Sequence, residues 1–305
     1  MILSLLYVSF AVEDVDRTRR AFRDLFGLPG ERMEPDPFLG TDRGARLAFP
    51  NACWLYVAES HQASSPVFQF VQRRGPGLER IAFLSDDIEG EFRRVQQGGV
   101  PLVEDALAHT PQGRRFVVSE QYVRGVTVEI LQPAPGLWTF DAPASISGVL
   151  GLQHIGTATL DLQAASKAFQ RLFDLHPAPV EHAKHLSFAP GNDFFWLDVA
   201  EGRKGESDRV GMFLENRGEG LEHLCLEVED IREAVRRVTR AGALIHENKI
   251  YTNRPNGLEA FVYPEHTTGV TVELIEPHPT SPGYRERLGR RGRPDVVVRG
   301  GAYGR

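Results

Sequence analysis

Apolar and polar positions along this chain follow two rhythms in a fixed order. Stretches of period two, such as Leu152–Leu160 and Leu221–Val228, read as strands. Each is followed by an acidic residue and then by apolar residues at helical spacing. After Asp161 these are Leu162, Ala165, Phe169, Leu172 and Phe173; after Asp230 they are Ile231, Ala234, Val235 and Val238. An aspartate at that point suits a helix N-cap, because its carboxylate accepts the free N–H groups of the first turn. Further strands follow each helix, and the whole chain divides into four such strand–helix–strands units.

The units pair into two copies of one longer pattern. "LLYVSFAVEDVDRTRRAFRDLFGL" matches "LQHIGTATLDLQAASKAFQRLFDL", and "ARLAFPNACWLYVAE" matches "KHLSFAPGNDFFWLDVAE". "SPVFQFVQRRGPGLERIAFLSDDI" matches "DRVGMFLENRGEGLEHLCLEVEDI", and "RGVTVEILQP" matches "TGVTVELIEP". The four offsets are 147, 142, 143 and 144, steady enough to identify a tandem duplication. The expectation is an α+β fold with one half at 1–133, a Pro/Ala/Gly-rich linker at 134–148, a second half at 149–280 and a basic tail at 281–305.

Side chains alternate faces along a strand. In Leu221–Val228 that sets His223, Cys225 and Glu227 opposite the apolar Leu224, Leu226 and Val228. In Leu152–Leu160, His154 shares a face with Gly156 and Ala158, whose small size leaves room beside the imidazole. Glu273 opposes the apolar face of Gly269–Ile275. Two neutral imidazoles and a carboxylate suit a divalent first-row metal with positions left for a substrate. Each residue alone also fits an ordinary strand position; their recurrence at equivalent unit positions is what joins them.

The stretches "LQHIG" at 152–156, "FLENRGEGLEHLCLEVEDI" at 213–231 and "FVYPEHTTGVTVELIEP" at 261–277 resemble the vicinal oxygen chelate superfamily, above all its methylmalonyl-CoA epimerase branch. The resemblance implies paired βαβββ units forming curved sheets around a divalent metal, which could be Fe, Mn, Co, Ni or Zn. It implies His154, His223 and Glu273 as metal ligands, with Asp198 of "LDVAEG" at a fourth position where relatives carry a longer Gln or Glu. It also implies Glu181 of "EHAKHLSF" as the base that removes an acidic α-proton, with His182 and His185 as alternatives, while the metal that Glu273 helps to hold for catalysis stabilises the enolate oxygen.

In the first half the corresponding positions hold Tyr7, Tyr56, Arg80 and Glu129. A guanidinium has no lone pair to give a metal, so this half is expected to be degenerate and metal-free. Arg80 is expected to pair with Glu129 across the vacated position, since a buried charge requires a partner.

Composition narrows the partners. The tail carries seven arginines against Glu286 and Asp295, so the remainder of a chain of net charge −6 stands at −11. An acidic body with a short solvated basic tail argues against nucleic acid as partner, and no apolar run reaches membrane-spanning length. Two isolated cysteines, Cys53 and Cys225, fit a cytoplasmic setting without disulfides. A small-molecule substrate with neighbouring oxygens is expected, and homo-oligomerisation stays open. Three functions compete. Local sequence favours an epimerase or isomerase acting through a metal-stabilised enolate. The two-half layout resembles extradiol and hydroxyphenylpyruvate-type iron(II) dioxygenases, but the extradiol signature before Glu273 and an apolar C-terminal helix are missing. A non-catalytic small-molecule binding protein is the third.

Overall fold

The computed structural model describes residues 1–50, 53–102, 106–134, 148–178, 184–189, 196–253 and 257–278. Glu181, His182, the basic tail and nearly all of the expected linker lie outside the described residues.

The first half runs β1 (Ile2–Ala11), α1 (Val15–Phe26), β2 (Gly30–Met33), β3 (Arg43–Ala48), β4 (Trp54–Glu59), α2 (Pro66–Arg74), β5 (Gly77–Ser85), α3 (Ile88–Gln97), β6 (Ala108–Thr110), β7 (Gly113–Val118) and β8 (Thr127–Pro133). The second runs β9 (Val149–Thr159), α4 (Leu162–Phe173), β10 (Pro177–Ala178), β11 (His185–Phe188), β12 (Trp196–Glu201), α5 (Arg209–Arg217), β13 (Gly220–Val228), α6 (Ile231–Arg240), β14 (Tyr251–Asn253), β15 (Gly257–Val262) and β16 (Thr271–Pro277). Each half builds one eight-stranded sheet, ordered β2-β3-β4-β1-β5-β8-β7-β6 and β10-β11-β12-β9-β13-β16-β15-β14. Within each, two βαβββ units meet along an antiparallel central pair, β1 with β5 and β9 with β13.

The helix starts follow the chemistry anticipated. Asp161 accepts from the Ala164 N–H at 2.9 Å and Asp230 from the Glu233 N–H at 3.0 Å. Asp14 and Asp87 cap α1 and α3 in the same way. Leu162, Ala165, Phe169, Leu172 and Phe173 are all buried, whereas on α6 only Ile231 and Val238 are fully so.

The two halves do not have separate cores. One apolar cluster includes Phe10, Phe22 and Phe83 of the first half with Phe169, Phe173 and Leu224 of the second. The rings of Phe83 and Phe173 lie 6.3 Å apart across the junction. Arg74 donates to the Glu219 carbonyl at 2.7 Å, and its repeat counterpart Arg217 donates to the Pro76 carbonyl at 2.6 Å. No helix among the described residues is long and apolar enough to cross a membrane.

Candidate metal centre

His154 on β9, His223 on β13 and Glu273 on β16 come from three adjacent strands and meet on one face of the second sheet. Nε2 of His154 and Nε2 of His223 are 3.0 Å apart. Glu273 Oε2 lies 3.4 Å from the first and 3.1 Å from the second. The alternation reading left this face only lightly covered; in fact every residue of β13 is buried, and His223 and Glu273 are nearly inaccessible. Gly156 supplies the room beside His223. A Cβ there would fall inside the van der Waals envelope of Cε1 and Nδ1 of the ring.

Strict alternation fails at both histidines, and the failure shapes the site. Along the β9–β13 pair, Leu221 faces Thr157 while His223 faces Gly156, so Glu222 is an extra residue. On the other strand, Cys225 faces His154 while Leu226 faces Leu152, so Gln153 is an extra residue. These are β-bulges, which re-aim the side chains around them. Each brings the residue just before a histidine to that histidine's Nδ1. Glu222 Oε2 lies 2.6 Å from Nδ1 of His223, and Gln153 Oε1 lies 2.9 Å from Nδ1 of His154.

Each Nδ1 thus has a side-chain oxygen to which it can donate. A ring whose Nδ1–H donates to an oxygen presents a bare lone pair at Nε2. In the neutral rings the two Nε2 atoms and a carboxylate oxygen converge as three acceptors, a set that a metal ion or a proton must join. Such a set is unfavourable when buried without a cation. Donors bound at about 2.0–2.1 Å lie roughly 3.0 Å apart at right angles and roughly 3.4 Å apart at tetrahedral angles. The three observed separations span that range, and the residues present therefore fit a divalent metal. The same donors hold Glu273 well below the usual carboxylate range: burial opposes ionisation, but contacts with His154 and His223 outweigh it. Burial also opposes ionisation of Glu222, yet Arg209 and His223 bring it down to about 2.

Cys225 is a fourth potential donor. With His154 and Glu273 it forms a group whose ligand atoms lie within 4.8 Å of one another. His223 is the better third partner, since its Nε2 is within 3.1 Å of both other donors. Burial pushes the Cys225 thiol well up, and Glu273, Glu259, Glu227 and Asp198 push it further, so the thiol resists becoming a thiolate ligand.

Asp198 stands on β12 beside Gly156, but its oxygens are engaged elsewhere. Oδ1 accepts from Ser187 Oγ at 2.6 Å, and Oδ2 is 3.9 Å from His185 Nδ1. Burial alone would raise its pKa; the nearby His185 imidazole, with His154 and Ser187, holds it low. Gln153, Glu222 and Arg209 were not singled out from the sequence. The signal for the first two was a polar residue immediately before each histidine, where alternation called for an apolar one.

The equivalent place in the first sheet is filled. Arg80 makes a two-pronged pair with Glu79, at 2.7 and 2.9 Å, and reaches Glu129 at 3.4 Å as expected. Tyr7 donates to Glu129 at 2.6 Å, and Arg115 approaches the other oxygen at 3.1 Å. Arg115 also pairs with Asp36 and lies 3.9 Å over the Phe38 ring. Around them Leu39, Trp54, Val67 and Phe70 form an apolar cluster. Glu79 is the repeat counterpart of Glu222 and is likewise the extra residue of a bulge.

Residues 153–261 match the family model of the Glyoxalase/Bleomycin resistance protein/Dioxygenase superfamily. The match lies wholly within the second half. Methylmalonyl-CoA epimerase of Dictyostelium discoideum is 25% identical over 132 residues, which is 42% of this chain and 80% of that protein. An uncharacterized Bacillus subtilis protein, YqjC, is 28% identical over 130 residues, 42% of this chain and 90% of that one. Solved structures show a likeness of fold that spans both halves. A variant of 4-hydroxymandelate synthase from Streptomyces coelicolor superposes with a TM-score of 0.68 at 18% identity, covering 92% of this chain and 94% of its own. The Mn(II)-bound glyoxalase from Novosphingobium aromaticivorans gives 0.60 at 14%, covering 90% and 82%. At those identities the fold is what is shared.

Proposed function

We propose that this chain is a metal-dependent enzyme with one centre, in the second half, that enolises a small substrate bearing neighbouring oxygens. The observation that carries the reading is the convergence of three potential metal donors, His154 Nε2, His223 Nε2 and Glu273 Oε2, within 3.0–3.4 Å. These residues would hold the ion, and Asp198, committed to Ser187 and His185, would stay outside it. When bound, a divalent metal supplies stabilisation for negative charge developing on a substrate oxygen. Glu222 and Gln153 keep the imidazoles oriented and their Nδ1 atoms protonated. Proton removal is assigned to Glu181, with His182 and His185 as alternatives; of the three, His185, near Asp198, is among the described residues. Members of this superfamily are usually metal-dependent enzymes, and the epimerase relative supports the enolising branch. The first half, with Arg80 and Arg115 in place of ligands, serves as scaffold.

A second reading is iron(II) dioxygenase chemistry. It is favoured by the donor set itself, since two histidines and one carboxylate with open positions are the pattern of non-haem iron oxygenases.

Metal analysis of the purified protein, followed by reconstitution, tests the centre. One equivalent per chain is expected, lost in His223→Ala and in Glu273→Gln. Retained stoichiometric metal in those variants would sink the assignment, and no metal in the wild type would leave a binding protein. Methylmalonyl-CoA incubated in deuterated water tests the chemistry: deuterium at the α-carbon supports enolisation. Oxygen uptake on a keto acid or catechol, with iron(II) bound, would replace it by the dioxygenase reading.

A further inference from the structure

We propose that Arg209 is the anion-recognition residue of this centre and that the substrate carries a carboxylate. This rests on the metal-centre reading above and names a substrate class for it.

The repeat exposes the residue. Arg209 is the first residue of α5, and its counterpart in the first half is Pro66, the first residue of α2. Proline suits that position because its missing N–H and fixed φ fit the first turn of a helix. The second half has an arginine there instead, and the side chain turns towards the candidate centre. Nη1 pairs with Glu222 and lies 2.6 Å from Nδ1 of His223. The guanidinium carbon sits 5.1 Å from the centre of the Phe261 ring. Phe261 is directly opposite Glu273 in the β15–β16 pair, so both residues belong to one face.

The guanidinium is not fully used. It has five N–H donors, and among the described residues only Nη1 has hydrogen-bonding partners. Its side chain is 34% exposed, against 4% for Glu222. Among the described residues Nε and Nη2 make no hydrogen bond, in a side chain that stays partly open to solvent. Arg209 carries a fixed positive charge, as a guanidinium does in proteins. A flat fork of donors resting on an aromatic face matches a carboxylate in two-pronged fashion. A small acid held there would set the oxygens of its far end against His154, His223 and Glu273.

The contrast with the first half supports a role beyond packing. There the buried cations Arg80 and Arg115 are each enclosed by carboxylates on more than one side, and neither side chain is more than 4% exposed. Arg209 alone of the three keeps an open edge.

The test uses the full chain loaded with Mn(II), and malonate as probe, followed by calorimetry. Wild type, Arg209→Gln and Arg209→Lys are compared after their melting curves show that they fold. Malonate should bind wild type and weaken at least ~tenfold in Arg209→Gln, the loss expected for a charged hydrogen-bonding partner. Arg209→Lys should recover part of it by restoring the charge. Malonate is titrated at saturating Mn(II) in every variant, so that a change in Mn(II) affinity through the contacts of Nη1 with Glu222 and His223 does not enter the comparison. No malonate binding to wild type, or equal binding to Arg209→Gln, overturns the inference. So does a malonate loss that merely follows a loss of Mn(II), which would make Arg209 a positioning residue acting through Glu222. A wild type that takes up no Mn(II) removes the metal reading; the same comparison on metal-free protein then decides the role of Arg209 alone.

Discussion

Gly156→Ala is the sharpest probe of the site, because it adds one methyl group and changes no donor. Gly156 has an ordinary negative-φ backbone, so alanine introduces no backbone strain of its own. Its Cβ would, however, overlap Cε1 and Nδ1 of the His223 ring. Carbon atoms in contact sit about 3.5–4.0 Å apart, so the ring must retreat by roughly 1–2 Å. It has little freedom to do so. Nδ1 is held by Glu222 at 2.6 Å, and Nε2 is 3.0 Å from His154 and 3.1 Å from Glu273. Metal sites tolerate deviations of about 0.2 Å. The expected result is loss of stoichiometric metal together with an overpacking cost of about 1–3 kcal/mol in the metal-free protein. Urea denaturation and metal titration read the two effects. A double-mutant cycle isolates the cause: in a His223→Ala background, Gly156→Ala should cost almost nothing. An equal cost in both backgrounds, or intact metal binding in Gly156→Ala, would refute the account of how the ring is seated.

Three further outcomes are expected. Glu222→Gln should lower metal affinity about 10–100-fold, as loss of an oriented imidazole partner does; unchanged affinity in a titration would make the Nδ1 contact incidental. Arg80→Met should destabilise the protein by about 3–5 kcal/mol in denaturant melts, because it leaves Glu79 buried without its cation and Glu129 with Arg115 alone, while metal content stays at the wild-type value; a loss below about 1 kcal/mol would contradict that pairing. The metal-free protein should show a pH window of stability set by this cluster. Burial and Arg209 press the His223 pKa down, but Glu222 and Glu273 outweigh them and raise it, so its contribution is complete below 6.5 and lost as pH rises through the raised value. The Glu222 contribution is complete above 4.5 and lost as pH falls towards about 2. Thermal melts of metal-free protein should therefore peak between these limits. Metal should stabilise increasingly as pH rises, since it displaces the proton from His223; a metal effect that weakens towards alkaline pH would oppose the assignment.

Much of the molecule was legible in the sequence. Periodicity exposed the strands and helices, and Asp161 and Asp230 marked helix starts because a cap is a local interaction. The duplication was visible as constant offsets. It also pointed to His154, His223 and Glu273 through equivalence of position rather than through any motif one residue carries alone. The replacement of His223 by Arg80 in the other copy, and the pairing of Arg80 with Glu129, followed from charge and repeat alone.

What strict alternation missed came from pairing between strands. A bulge is a property of two strands in register, so Gln153 and Glu222 stayed hidden although each lies next to a predicted histidine. The shared core of the two halves, the Glu79 and Arg115 partners of the first-half cluster, and the entry of Arg209 from α5 all involve residues distant in sequence. The chain's own pattern determined which elements form and which copy retains imidazoles. Only the tertiary structure decided that three lone pairs meet within 3.4 Å, that both Nδ1 atoms are held, and that Asp198 turns to Ser187. Local periodicity reports the side of a strand on which a residue lies, whereas ligation and proton position depend on distances of a few tenths of an ångström between strands.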